Sequence, residues 1–341
     1  MKSLRIGIIG AGANTRLRHI PGFQEIEGVE VIQVANRSME SAQKVADAFG
    51  IPQVSDRWRD VIENPDVDAV CIGTWPYLHA EATVAALEAG KHVLTEARMA
   101  MNLEEAEGML EVAEKHSQLV AQVVPSPFTL NVDRAVKAWL AEGKAGQLRE
   151  VHVTHTNAAL ACIDARMTWR QDPTVSGCNL LTVGIYHEVI LRWLNPQITA
   201  LQARGCIHTH QRKHWDRQEE VAEIVLPDTV AVWAEDAGRC QYFYHFSGVE
   251  SGLGRNEIRI HGDQASLRCD VAAEKIWIAK VGSSEEQELE IPDTDRVGWR
   301  VEADFVDSIR EGKPVELTSF ADGVKYMAFS DALIQALEVA E

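Results

Sequence analysis

The first third of the chain alternates short apolar runs with segments of helical periodicity. The apolar runs LRIGII, VEVIQVA, VDAVCIG, KHVLTE and QLVAQVV begin at residues 4, 29, 67, 91 and 118. Amphipathic segments that carry N-cap or C-terminal glycine signals lie between them, at 38–50, 77–90 and 102–116. Strands that alternate with helices are typical of βαβ units and a parallel sheet. The pattern predicts a doubly wound α/β nucleotide-binding domain over residues 1–125.

The pattern changes after VVPSPF, residues 123–128, because its two prolines disfavour both a continuing helix and a central strand. A helical segment at 130–143 is followed by β-rich runs that begin at residues 148, 198, 221, 229, 240, 256 and 275. Such runs in succession indicate antiparallel pairing. Further helical segments are predicted at 179–194, 301–312 and 320–340. The second domain, 126–341, is therefore predicted to be α+β with a large, mostly antiparallel sheet.

Composition narrows the possible function classes. The chain has 341 residues, of which 46% are hydrophobic and 25% charged, as is typical of globular proteins. Its formal net charge of -18 would repel nucleic acid and an anionic membrane surface. We see neither a signal peptide nor an apolar stretch of the roughly 20 residues needed to cross a bilayer. The six scattered cysteines form no CxxC pair, and we expect a cytoplasmic protein with reduced thiols.

The first strand runs into GAGANT, residues 10–15, a G-x-G turn without the third glycine of the dinucleotide fingerprint. Gly10 permits the tight turn and Gly12 lets the backbone approach a pyrophosphate. The helix start at Asn14 and Thr15 supplies N–H donors for an anion. A bare G-x-G also occurs in ordinary loops, so the strand before it and the helix after it carry the prediction of a dinucleotide site.

The second strand ends in VANRS. At this position, NAD-binding domains have an acidic residue that hydrogen-bonds the ribose hydroxyls. Here the positions hold Asn36, Arg37 and Ser38, which are neutral or basic and suit a 2′-phosphate. NADP is therefore favoured over NAD. The alternative interpretation is that Arg37 is only a solvated surface charge.

Four segments in their order and spacing, GIIGAGA, TWPYLHAEATVAALEAGKHVLTEARMA, WRQDPTVSGCNLLTVGIYHEVILRWL and FVDSIREGKP, resemble the glucose-fructose oxidoreductase, inositol dehydrogenase and rhizopine-catabolism family, Gfo/Idh/MocA. The resemblance implies a Rossmann domain joined to an α+β domain with a large open sheet, through which members commonly oligomerise, here as a homodimer or homotetramer. It also implies hydride transfer between NAD(P) and the C–OH or C=O group of a sugar, sugar acid or polyol derivative.

The same resemblance implies roles for individual residues on the cofactor side. Glu96 is expected beside the nicotinamide, and the cofactor is expected to be lined by Thr74, Trp75 and His79 and covered by the segment with Trp169 and Arg170. For His79, a place in the core as a helix-capping residue is the alternative.

The chain departs from the family where members usually have Glu-Lys-Pro, since it has Glu96, Ala97 and Arg98. The lysine that hydrogen-bonds the reacting hydroxyl is missing. Arg98 is a permanent cation, so it can anchor a carboxylate or polarise a carbonyl but is a poor base. A pairing of Arg98 with Glu96 or with a cofactor phosphate is the alternative.

A second departure concerns the family's Asp-x-x-x-His, whose positions here hold Thr182 and Tyr186. Some members carry tyrosine in place of this histidine, so Tyr186 is a candidate proton donor or acceptor. His187 is turned by about 100° from that face and enters the site only if the helix is rotated or irregular. His155, on the strand face opposite His152, is a further candidate, with a solvated strand residue as the alternative.

The leading hypothesis is an oxidoreductase with Glu96 and Arg98 on one wall of its site and Tyr186, with His155 or His187, on the other. A nicotinamide-dependent lyase or epimerase without net redox change is one alternative, and a non-catalytic ligand-binding relic is another.

One strand face carries Cys206, His208 and His210 at a spacing that suits zinc. A polar sheet interface explains these residues equally well, and no metal is predicted.

Overall fold

The computed structural model describes residues 3–217 and 220–340. Its contacts divide the chain into two compact units. The first unit contains the chain up to Pro125 together with Thr174–Gly177 and Arg300–Ala328, and the second contains Ser126–Pro173, Cys178–Trp299 and the chain from Phe329. Compared with the predicted range 1–125, the first unit thus gains two segments from farther along the chain.

The first unit is built on a parallel sheet in the order β3-β2-β1-β4-β5-β6. The buried apolar runs form its strands, which are β1 Leu4–Ile9, β2 Val29–Ala35, β3 Gln53–Ser55, β4 Ala69–Ile72, β5 His92–Thr95 and β6 Ala121–Val123. This order doubles back at β1, as in doubly wound dinucleotide-binding folds. The predicted Rossmann architecture is confirmed.

The second unit is built on a mixed sheet in the order β16-β15-β14-β13-β7-β12-β11-β8-β17. Its strands are β7 Leu148–Thr156, β8 Ile198–Cys206, β9 Gln211–Lys213, β10 Val221–Glu223, β11 Thr229–Asp236, β12 Gln241–Ser247, β13 Asn256–Gly262, β14 Ala265–Asp270, β15 Lys275–Lys280, β16 Gln287–Glu288 and β17 Leu337–Ala340, with β9 and β10 forming a separate pair. The β7·β12 and β8·β17 pairs are parallel and the other neighbours are antiparallel. The predicted large, mostly antiparallel sheet is confirmed.

The α-helices follow the predicted amphipathic segments with a few additions. They are α1 Ile20–Gln24, α2 Met39–Phe49, α3 Trp58–Glu63, α4 His79–Glu88, α5 Leu103–Lys115, α6 Asp133–Ala141, α7 Pro173–Ser176, α8 Val183–Leu194, α9 Val301–Glu311 and α10 Phe320–Gln335. Ser38 and Asn102, the first residues of the predicted segments 38–50 and 102–116, are the N-caps expected there, since the Ser38 side chain accepts from the Ser41 N–H and the Asn102 side chain from the Glu105 N–H. Among the described residues, no helix is both long and apolar enough to span a bilayer.

Several elements differ from the sequence prediction. The short strand β3 and helix α3 between β2 and β4 were not predicted, nor was β14, although its residues alternate between buried and half-buried positions. The helix predicted over 320–340 ends at Gln335, and Leu337–Ala340 instead pairs with β8 as an added edge strand. Such pairing depends on the neighbouring strand rather than on local propensity.

The core of the second unit lies between one face of its sheet and α8. Val151 and Val153 of β7 pack there with Val189 and Ile190 of α8. Because side chains alternate along a strand, residue 155 of β7 also points to this face. The sheet therefore presents His155 to the helix that carries Tyr186.

Candidate active site

A groove of about 730 Å³ opens in the first unit where β1, β2 and β4 end. This volume is in the range of small-molecule and cofactor pockets. The predicted cofactor-binding residues that line the groove are Gly10, Gly12, Asn36, Arg37, Ser38, Thr74 and Trp75. The carboxyl ends of parallel strands are where doubly wound folds bind nucleotides.

The glycine turn brings bare backbone to the groove. Gly10 has a φ of +79°, and a Cβ placed on it would lie 2.5 Å from the Thr74 side chain. A Cβ on Gly12 would lie 3.1 Å from the carbonyl oxygen of Gly73. These contacts explain why glycine occupies both positions, and the resulting open backbone fits the close approach of a pyrophosphate.

The end of β2 closes the groove with polar groups. Asn36 accepts a hydrogen bond from the Ala11 N–H at 2.8 Å and donates one to the Ser41 hydroxyl at 3.0 Å. The exposed Arg37 guanidinium lies 4.6 Å from the centre of the Trp75 ring. The amide of Asn36 thus ties the glycine turn to α2, while Arg37 provides a cation at the rim that suits an anionic group.

A buried charged cluster forms around His19, the last residue of the short π-helix Thr15–His19 that follows the glycine turn. Glu96 accepts hydrogen bonds from Asn14 Nδ2 at 2.5 Å and from His19 Nε2 at 3.0 Å. The other ring nitrogen of His19, Nδ1, lies 2.5 Å from the carboxylate of Glu302 on α9. Burial of the imidazole opposes its charged form, but the two carboxylates outweigh burial and raise the pKa of His19 to about 9.

Other predicted cofactor-side residues are buried in the first unit. The Thr15 hydroxyl donates to the Gly10 carbonyl at 3.3 Å, and Thr15 is 1% exposed. His79 is also buried, with Nδ1 2.8 Å from the Arg98 carbonyl oxygen and Nε2 3.1 Å from that of Thr74. Burial lowers the pKa of His79, and a neutral ring donates to one of these carbonyls at a time. Arg98 itself is 4% exposed.

In the second unit, Tyr186 of α8 meets His155 of β7. The Tyr186 hydroxyl lies 2.9 Å from His155 Nδ1 and donates to Asn256 Oδ1 at 2.6 Å. Asn256 stands directly opposite His155 in the antiparallel β13·β7 pair. Burial raises the pKa of Tyr186 well above its usual range and lowers the pKa of His155, so both groups are neutral near pH 7.

His187 lies in the core of the second unit, apart from this pair. Its ring stacks on Phe329 with 3.6 Å between ring centres, and Nδ1 forms a 2.7 Å hydrogen bond with the Tyr244 hydroxyl. Burial lowers the pKa of His187 to about 3. The regular helix keeps it about 100° from Tyr186, as its position in sequence indicates.

Trp169 and Arg170 form a short 3-10 turn in the second unit, Trp169–Gln171. The Thr168 and Gln171 side chains cap this turn reciprocally, and the Arg170 guanidinium lies 4.3 Å from the centre of the Trp169 ring.

The zinc alternative gains no support, because residues 3–217 and 220–340 contain no group of three or more His, Cys, Asp or Glu that could hold a metal ion.

Four residues of these clusters were not predicted from the sequence, namely His19, Glu302, Asn256 and Asn157, whose Nδ2 lies 3.1 Å from His155 Nε2. His19 lies one helical turn beyond the glycine motif, which is a local signal. Glu302 is 283 residues away from His19 and has none. Asn157 and Asn256 lie at a strand end and a strand start, where asparagine normally indicates a turn.

Comparison with known proteins gives a family match in each of the two units. The family model for the Gfo/Idh/MocA oxidoreductase family with an NAD-binding Rossmann fold matches residues 4–123, and the model for its C-terminal domain matches residues 134–268. The structure of levoglucosan dehydrogenase in complex with NADH and L-sorbose superposes with a TM-score of 0.85 at 21% identity, covering 98% of this chain and 97% of that one.

Inositol 2-dehydrogenase of Klebsiella pneumoniae strain 342 is 26% identical over 265 residues, 74% of either chain. Levoglucosan dehydrogenase of Pseudarthrobacter phenanthrenivorans is 28% identical over 211 residues, which cover 60% of this chain and 54% of that protein. The chain thus spans about half the length of several curated relatives that it matches. Because the two family models together cover well over half of the sequence, the chain belongs to the Gfo/Idh/MocA oxidoreductase family.

Proposed function

We propose that the protein is an NAD(P)-dependent oxidoreductase that acts on the C–OH or C=O group of a sugar, sugar acid or polyol derivative. The observation that carries this proposal is the glycine-lined groove at the carboxyl ends of β1, β2 and β4. Membership of the family and the sugar and polyol enzymes among the relatives support the substrate class.

The residues of the groove fit a dinucleotide, which would accept or release the hydride when bound. The backbone at Gly10 and Gly12 would hold the pyrophosphate. Arg37, Ser38 and Ser41 offer one guanidinium and two hydroxyls, which together suit a 2′-phosphate, and no carboxylate follows β2 directly to bind the ribose hydroxyls of NAD. We therefore favour NADP over NAD.

The cofactor proposal is tested by titrating the protein with NADP and NAD. Arg37→Ala is expected to weaken NADP binding about tenfold or more, because it removes a charge-assisted contact, and to change NAD binding little. Lys44→Ala, which removes an exposed cation from α2, is the matched control and should leave both affinities unchanged. An equal loss for both cofactors in Arg37→Ala would refute the 2′-phosphate assignment.

The substrate proton would be taken up at the neutral pair of His155 and Tyr186 described above. We assign neither Arg98 nor His187 to proton transfer. A guanidinium does not release its proton at neutral pH, and His187 is held neutral inside the core.

The activity is tested with a panel of polyols and keto sugars, following the absorbance of reduced nicotinamide. Turnover that needs added NADP or NAD supports the oxidoreductase. Turnover without added cofactor, by protein that retains bound nucleotide, would instead favour the lyase or epimerase alternative. Ligands that raise the melting temperature without any turnover would favour a binding protein.

We also propose a homo-oligomer formed through the sheet face that points away from α8. That face carries the half-buried side chains of His152, Trp233 and Phe243, and the His152 and Phe243 rings stack with 4.8 Å between their centres. Aromatic side chains on an uncovered sheet face are typical of interfaces. Light scattering should show a homodimer or homotetramer that Trp233→Glu dissociates.

The six free thiols are consistent with the expected cytoplasmic location.

A further inference from the structure

A chain of hydrogen bonds runs through four side chains of the second unit, Asn157, His155, Tyr186 and Asn256. Asn157 Nδ2 lies 3.1 Å from His155 Nε2, His155 Nδ1 lies 2.9 Å from the Tyr186 hydroxyl, and that hydroxyl lies 2.6 Å from Asn256 Oδ1. One further contact, whose donor is known, determines which atom donates in each of these hydrogen bonds.

The known donor is the backbone N–H of Ala159, which donates to Asn157 Oδ1 at 2.9 Å. A backbone N–H cannot accept, so this contact orients the Asn157 amide with its Nδ2 toward His155. His155 Nε2 must then be the unprotonated nitrogen. The neutral ring carries its proton on Nδ1, donates it to the Tyr186 oxygen, and leaves the single Tyr186 proton for Asn256.

Tyr186 is more deeply buried than the other three side chains of this hydrogen-bond chain. Tyr186 is 0% exposed and is packed by Phe128 and Phe246, with ring centres 4.7 and 5.2 Å away. His155 and Asn157 are only half-buried. The Nδ1 edge of the His155 ring faces buried Tyr186, and its Nε2 edge faces Asn157. A ligand therefore reaches Nε2 by displacing one amide, whereas the Tyr186 hydroxyl is held on both sides.

We infer that His155 Nε2 is the proton acceptor that replaces the missing lysine, and that Tyr186, Asn256 and Asn157 are positioning residues that set its tautomer. This inference rests on the proposed function. In the oxidation direction, the substrate hydroxyl takes the place of the Asn157 amide and gives its proton to Nε2. Its O–H electron pair forms the C=O bond as the hydride on carbon leaves to oxidised nicotinamide. Reduction reverses each transfer, and His155 then returns the proton to the new hydroxyl.

The inference gives Tyr186 a different role from the direct proton donor considered from the sequence. Its oxygen accepts a hydrogen bond from Nδ1–H and stabilises the ring as Nε2 becomes protonated, which is how a second group commonly orients a histidine base. Asn256 matters because its Oδ1 accepts the hydrogen bond that the Tyr186 hydroxyl donates. Without that acceptor, the hydroxyl would turn its proton toward Nδ1 and favour the Nε2-protonated tautomer. The Asn157 amide alone would then keep Nε2 unprotonated, and the lone pair would be lost when the substrate displaces that amide.

The experiment uses the full chain labelled with 15N-histidine, with the His155 signals assigned by their loss in His155→Gln. In the wild-type protein without cofactor, Nδ1 should show the shift of a protonated nitrogen and Nε2 that of an unprotonated one. Asn256→Leu should shift the ring toward the reversed tautomer and lower kcat about 100-fold or more, while the affinity for NADP stays within twofold. Asn256→Asp, whose carboxylate also accepts a hydrogen bond from the Tyr186 hydroxyl, should keep the wild-type tautomer and most of the activity.

A wild-type His155 protonated on Nε2 in an active enzyme would overturn this inference and leave the proposed oxidoreductase function standing. Unchanged kcat in Asn256→Leu or in His155→Gln would do the same. If the Nδ1-protonated tautomer is found but the wild-type protein binds no nicotinamide nucleotide and oxidises no substrate, the proposed function fails and the proton-acceptor role falls with it.

Discussion

The His19 cluster predicts a specific dependence of stability on pH. The His19 side chain is 0% exposed, and its two nitrogens face Glu96 and Glu302 at 3.0 and 2.5 Å. Carboxylates accept hydrogen bonds, so both ring nitrogens must carry protons and the ring is an imidazolium. Although burial alone would lower its pKa, the two carboxylates raise it from the ordinary 6.5 to about 9.

The sign of the effect follows from proton linkage. Between pH 6.5 and about 9 the folded protein holds a proton on His19 that the unfolded chain has released, so stability falls as pH rises through this window. The contribution is fully present below pH 6.5 and lost above about 9. At 1.36 kcal/mol for each tenfold change in the dissociation constant, the rise in pKa corresponds to about 3 kcal/mol of unfolding free energy.

The assay is urea unfolding of the full chain at pH 6 and pH 9.5, with fluorescence and circular dichroism compared to test for a single transition. Relative to pH 6, the wild-type protein should lose about 3 kcal/mol more at pH 9.5 than His19→Gln, which cannot titrate. His245→Gln, which removes an exposed histidine from β12, should behave like wild type. Parallel pH profiles in wild type and His19→Gln, or a His19 ring that is neutral by NMR at pH 8, would refute the reasoning.

Three further outcomes follow from single positions. Gly10→Ala should lower stability by about 1–3 kcal/mol and abolish NADP binding, because φ is +79° and the new Cβ would lie 2.5 Å from Thr74; an unchanged titration would contradict this. His187→Phe should keep the stack on Phe329 and leave kcat unchanged at every pH, and a lost kinetic pKa would instead place His187 in catalysis. Lys91→Met should cost about 1–3 kcal/mol in urea unfolding, because the Nζ donates to two backbone carbonyls, and a neutral result would show that water replaces it.

Much of the fold follows from local sequence patterns. The buried runs at Leu4–Ile9, Val29–Ala35 and His92–Thr95 form strands because they are apolar and bounded by turn or cap residues. Gly10 and Gly12 identify the groove because a tight turn at a strand end needs these residues locally. Such features depend on neighbours in sequence, so one sequence is enough to predict them.

The chemistry of the two clusters depends on contacts that no local pattern encodes. The charge on His19 requires Glu302, which comes from a helix near the other end of the chain. The tautomer of His155 requires Asn256, which reaches it only through the register of two antiparallel strands. Local patterns are thus sufficient to predict the parallel sheet, the groove and the absence of the usual lysine. Which ionisable groups meet is visible only in the folded chain, because burial and charge pairing, which set protonation, arise from packing between distant segments.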